Sequence, residues 1–118
     1  TQHEEFSLDA PWYVHSNHYL SEKLKPLEDP TVQRGSTEHR LARLAARFEA
    51  NANPLTPEGL RNLLADHEGG DELGICRHGE GNDARSCAFA VVDPKARTLH
   101  AALGPACHAE LKPFHLDG

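Results

Sequence analysis

The sequence predicts an α+β fold: an antiparallel sheet with a pair of helices on one face. Three observations predict it. First, "SCAFAVVDPKARTLHAALG" reads as a hairpin. Ala88, Ala90 and Val92 alternate with Phe89 and Val91, Pro94 starts a turn, and Thr98 to Leu103 return antiparallel. Second, two stretches before it carry helical spacing with recognisable starts. Third, the order along the chain is strands, two helices, then strands, which is the pattern of an α+β layer arrangement.

Each element follows from local chemistry. In residues 1–20, Glu5, Ser7 and Asp9 alternate with Phe6, Leu8 and Ala10, a period of two that predicts an extended strand. Pro11 interrupts it, and "WYVHSNHYL" is expected as a second strand with a polar end. Pro26, Pro30 and Gly35 punctuate a loop over residues 21–35. Ser36 or Thr37 can cap a helix in which Leu41, Leu44, Ala45 and Phe48 share one face. "NANP" ends it, because proline disfavours helix in the residue before it. "LTPEGL" starts the next helix with Thr56 as N-cap, Pro57 in the first turn and Glu58 at the positive helix end. Leu60, Leu63 and Leu64 form its stripe, and Gly69-Gly70 are expected to stop it. The two helices can pack as an antiparallel pair. "LGICRH" reads as a short strand, "GEGND" as a flexible acidic loop, and "GPACHAELKPFHL" as a tail with a final short strand.

Composition bounds the function. With 118 residues the chain is one domain or one piece of a larger one. Its apolar share of 38% allows only a small core. A net charge of −6 argues against nucleic-acid or anionic-membrane partners. Arg34, Arg40, Arg43 and Arg47 gather locally, but Glu38 and Glu49 dilute them into a solvated helix face. No run approaches the roughly 20 apolar residues that span a bilayer. The acidic start "TQHEEFSLDA" is no signal peptide. Without an initiator Met, it predicts a processed or truncated chain. Three cysteines without paired spacing point to a reducing, cytoplasmic setting.

Several residues are candidates for chemistry. Asn17 closes the second strand, where its amide N–H can meet a developing oxyanion or simply cap a turn. Arg77 in "ICRH" can hold a carboxylate in a bidentate fork or tune a nearby thiol or amine; a surface ion pair is the bland alternative. Cys76 and His78 stand at i and i+2, so on a strand both face one way. With Cys107-His108, His15 and His18 they supply zinc-type ligands. The nine histidines follow no zinc-finger register, so no metal or other cofactor is assigned, and buried cysteines with surface histidines are expected instead. An internal nucleophile has little support. Cys87 is expected to pack inside the hairpin. Cys107 is expected to point away from its neighbour His108 on an extended strand. Thr1 could serve only as a true processed end.

The words in order are more specific than any one of them. "HSNHYLS", "PLTPEGLRNLLADHEG", "GICRH" and "AVVDPKARTLHAALGPAC" form a series that resembles the C-terminal portion of the acyl-coenzyme A:6-aminopenicillanic acid acyltransferase family, the peptidase C45 group. The resemblance runs from about residue 12 to the end. It implies membership of the N-terminal nucleophile hydrolases, a four-layer αββα sandwich and self-cleavage that exposes a cysteine whose α-amine is the base. It further implies hydrolysis or transfer of acyl groups at linear amide bonds, with a small acyl-amide or acyl-CoA substrate. By resemblance Asn17 lies near the oxyanion and Arg77 is the active-site arginine, while His18, Tyr19 and His78 contact substrate. The family nucleophile lies about a hundred residues ahead of an "NHYL" word. Cys76, Cys87 and Cys107 all follow that word. The expectation is therefore a single region, residues 1–118, that lacks the nucleophile and joins a missing N-terminal segment or itself.

Two other readings compete. One is a non-catalytic assembly module whose interface buries residues 88–103. The other is a zinc-binding module built on Cys76, His78 and Cys107.

Overall fold

The computed structural model describes residues 2–51, 55–81 and 83–117. The architecture is α+β, with helices and one three-stranded antiparallel sheet. The chain divides into two compact units, Thr1–Asn51 and Ala52–Gly118. Among the described residues no helix is long and apolar enough to cross a membrane.

The N-terminal unit is an extended segment and a helix. From Trp12 to Leu20 burial alternates: Trp12, Val14, Ser16, His18 and Leu20 are half-buried, and Tyr13, His15, Asn17 and Tyr19 are exposed. The period of two predicted over residues 5–10 has no counterpart in burial, since residues 2–11 are all exposed, and neither predicted strand forms, since no ladder involves the described residues before Ala88 other than one isolated bridge. A strand needs a neighbouring backbone to pair with, and here the inward side chains meet a helix instead. That helix, α1, spans Gly35–Ala50. The Trp12 and Phe48 rings lie 5.5 Å apart, and Leu41, Leu44 and Ala45 are half-buried on the same face. The expected cap is corrected. Arg34 is the N-cap and makes no side-chain cap bond, because Thr37 turns its hydroxyl to residues 16–18. Arg34 instead pairs with the Glu28 carboxylate at 2.6 Å. Asn51 is extended, with φ −94° and ψ 101°; the rest of "NANP" lies outside the described residues.

The C-terminal unit opens with α2, Pro57–Leu64. Its predicted cap is present: the Thr56 hydroxyl oxygen accepts the Gly59 N–H at 3.0 Å. Thr56→Ala should destabilise this unit by about 1 kcal/mol, read as a lower midpoint in a urea titration. The helix stops at Leu64 rather than at the glycine pair. Gly69 (φ 96°) and Gly70 (φ 67°) adopt left-handed backbone and lead into a single turn, α3, Gly70–Leu73. The predicted strand "LGICRH" is reduced to the bridge between His78 and Arg85. The helices expected to pair, α1 and α2, fall in separate units.

The hairpin forms as predicted. Strand β1 is Ala88–Asp93 and β2 is Thr98–Leu103, with Ala88 opposite Leu103 and Asp93 opposite Thr98. The Asp93 carboxylate accepts the Ala96 N–H at 3.0 Å within the turn, and Arg97 takes the left-handed position (φ 53°). The final strand, β3, Lys112–His115, pairs antiparallel with β2. The sheet is two-sided. Helix α2 packs against β1, and Val91, Thr98 and Ala102 share a buried face. The opposite face carries Ala90, Val92, Leu99, Leu103 and Phe114. It is apolar yet open, with Leu103 91%, Val92 67% and Phe114 55% exposed.

Candidate functional site

Two constellations carry polar chemistry, one in each unit. In the N-terminal unit, Thr37 on α1 gathers the "HSN" corner. Its hydroxyl oxygen accepts the Asn17 N–H at 2.6 Å and lies 2.8 Å from the Ser16 hydroxyl and 3.0 Å from His18 Nδ1. The Ser16 hydroxyl reaches the Thr37 carbonyl at 2.9 Å. This network fixes the backbone of residue 17 and turns the His18 ring towards the hydroxyls. Arg40, one turn further along α1, donates from Nη2 to Asn17 Oδ1 at 2.9 Å. A guanidinium has no acceptor, so the amide oxygen must face it. The amide NH₂ of the exposed Asn17 is thereby aimed away from the helix. The Tyr19 N–H donates to the Glu28 carboxylate, and the Tyr19 ring is 42% exposed.

In the C-terminal unit, His67, Cys76, His78 and Cys107 place one donor atom each within 4.8 Å of one another. His67 sits on the turn after α2. The backbone on both sides of it is pinned, since the Asp66 carbonyl accepts the Cys76 N–H at 2.9 Å and the His67 carbonyl accepts the Gly70 N–H at 2.9 Å. Cys76 and His78 share one side of the extended segment, as their spacing predicts. The Asp71 carboxylate holds the His78 N–H at 3.1 Å. Cys107 lies on the turn after β2, where Arg61 of α2 donates to the Ala106 carbonyl at 2.9 Å.

The ring of His78 is the centre of the group. Its Nε2 lies 3.0 Å from His67 Nε2, 3.7 Å from Cys76 Sγ and 3.3 Å from Cys107 Sγ. His108 stands outside it, with its ring stacked on that of His78 at 5.9 Å and its Nδ1 3.3 Å from Cys107 Sγ. The expectation that Cys107 and His108 point apart is therefore corrected: they occupy a tight turn, not a strand. Their pairing does not make a ready nucleophile. Burial, and then the neighbouring Cys76 thiol, push the Cys107 thiol above its ordinary value, the opposite of what activates a nucleophilic cysteine. Cys87, expected to pack, is exposed. Thr1 lies outside the described residues.

Arg77 stands between two members of this group. Its guanidinium donates to the Glu72 carbonyl and its N–H to the Ser86 hydroxyl at 3.0 Å. Asn17 and Arg77 belong to different units, as do His15 and His18 relative to Cys76. His67 is the member that the sequence reading missed. A histidine just ahead of Gly-Gly and upstream of a Cys-x-His pair was the available signal.

Comparison with protein-family models and with curated proteins finds no match to this chain.

Proposed function

We propose that the chain is the C-terminal part of a cysteine N-terminal nucleophile amidohydrolase or acyltransferase, acting on linear acyl-amide bonds. The ordered series "HSNHYLS … PLTPEGLRNLLADHEG … GICRH … AVVDPKARTLHAALGPAC" carries the reading. The two-sidedness of the sheet supports it. An αββα sandwich covers one face of each sheet with helices and packs the other against a second sheet. The buried face beside α2 and the open apolar face of Val92, Leu99, Leu103 and Phe114 match those two roles.

On this reading an upstream cysteine attacks the amide carbonyl, an S–C bond forms, and the C–N bond breaks as the leaving amine takes a proton. Water or a second amine then releases the acyl group. Asn17 donates its amide N–H to the oxyanion. Arg77 orients a substrate carboxylate or tunes the site.

The test compares the 118-residue chain with its parent polypeptide, using a chromogenic acyl-amide substrate. The chain alone should be inactive. The parent should cleave itself to a new N-terminal cysteine, seen by mass spectrometry, and turn the substrate over. Turnover by the isolated chain, or a parent that neither cleaves nor reacts, would overturn the proposal. The open sheet face also bears on the assembly reading. Self-association of the isolated chain, measured by sedimentation and reversed by Leu103→Lys, would assign that face to an interface between copies.

A further inference from the structure

We propose that His67, Cys76, His78 and Cys107 form a tetrahedral structural site for zinc. The inference stands apart from the acyl-transfer reading, because it rests only on four side chains of the C-terminal unit.

The first argument is metric. A zinc ion with nitrogen near 2.0–2.1 Å and sulfur near 2.3 Å separates its tetrahedral ligands by about 3.3 Å between nitrogens and about 3.6 Å between nitrogen and sulfur. The distances here are 3.0 Å for His67–His78, and 3.3 and 3.7 Å from His78 to the two sulfurs. Small side-chain adjustments bring all three to the ideal edges.

The second argument is one of satisfaction. His78 Nε2 faces three donor atoms at once, yet a ring nitrogen can give or accept only one hydrogen bond. Two imidazole nitrogens at 3.0 Å share at most one proton, and protonating both rings sets like charges against each other. Hydrogen bonding therefore does not account for the convergence. A cation at the centre satisfies all four groups, and two thiolates neutralise a divalent ion.

Donor chemistry selects the ion. Two sulfurs and two imidazoles in a tetrahedron favour zinc over magnesium or calcium, which take oxygen ligands. All four positions come from protein, so the site is closed and structural rather than catalytic. Its ligands come from three places in the chain: the turn after α2, the nearby "ICRH" segment and, 29 positions beyond His78, the turn after β2. An ion would fasten these together. Arg77 lies between two ligands and, by alternation, faces away from them, so the ion would also fix the segment that carries it.

The experiment is a cobalt titration of the tag-free, reduced chain. We expect saturation at one equivalent, with the intense visible bands of four-coordinate cobalt and charge-transfer absorption from two thiolates. Zinc should displace the cobalt and raise the melting temperature. His67 is exposed, so His67→Gln should fold like the parent yet bind at least about tenfold more weakly. Cys107→Ser should lose part of the thiolate charge transfer. No four-coordinate spectrum from the folded chain would overturn the proposal, as would binding unchanged in both variants. A Cys76–Cys107 disulfide that resists reductant would do the same.

Discussion

On the proposed acyl-transfer function, Asn17→Ala is expected to lower turnover of the acyl-amide substrate about 10²–10³-fold, the usual loss for one oxyanion donor. The orientation of the amide makes the expectation specific. Arg40 holds Asn17 Oδ1 at 2.9 Å, and Thr37 holds the backbone N–H, so only the NH₂ group is left to meet a substrate. Asn17→Asp separates this role from a structural one. The aspartate keeps an oxygen for Arg40 but has no N–H, and its charge would repel an oxyanion. If Asn17 acts as a donor, the aspartate variant loses at least as much as the alanine variant, with folding unchanged by circular dichroism. If Asn17 only clamps Arg40, the aspartate variant keeps its activity and the oxyanion assignment fails.

Gly74→Ala should destabilise the C-terminal unit by about 1–3 kcal/mol, the usual cost of forcing atoms into a filled space. A Cβ on Gly74 would lie 2.6 Å from the Gly70 carbonyl oxygen and 3.3 Å from that of Cys76. Both are backbone atoms, so no flexible side chain can yield. The same Gly70 carbonyl accepts the Gly74 N–H at 2.8 Å, and relieving the clash breaks that bond and shifts α3. Gly35→Ala is the control. A Cβ there meets nothing within 4 Å, and its backbone is helical, so alanine should be neutral or stabilising by up to about 1 kcal/mol. Urea titrations followed by circular dichroism decide both. Equal midpoints for Gly74→Ala and the parent would mean that the turn can open without cost. Because this turn leads directly into Cys76, Gly74→Ala should also weaken cobalt binding.

Some of the molecule was legible before any coordinate. The hairpin was, because alternation and a proline-led turn are both local signals, and its register follows once the turn is fixed. The Thr56 cap was, because the hydroxyl bonds a backbone N–H only three residues away. The alternation of residues 5–10 was legible but misleading: those residues are all exposed and form no strand, while burial alternates in residues 12–20 instead. Period two shows which side chains share one side of an extended chain; whether that side is buried or a ladder forms depends on a neighbour, which no local pattern supplies.

The candidate site divides in the same way. Cys76 and His78 could be placed on one side of the chain from their spacing alone, and the sulfur of Cys107 could be suggested. His67 could not be placed, since it looked like part of a helix running on to Gly69-Gly70. Helix α2 ends early, and the turn behind it returns His67 to His78. His15 and His18, equally good ligands by composition, belong to the other unit, where His18 meets hydroxyls.

The sequence by itself determined the residues' chemistry and short-range geometry: the hairpin, the capped helix, and a thiol and an imidazole side by side. Only the tertiary structure decided which sulfur and which second imidazole join them. Caps, turns and alternation act over a few residues, whereas 28 residues separate His78 from Cys107. Closing that interval depends on how β2 pairs and where α2 packs, and those are properties of the whole fold.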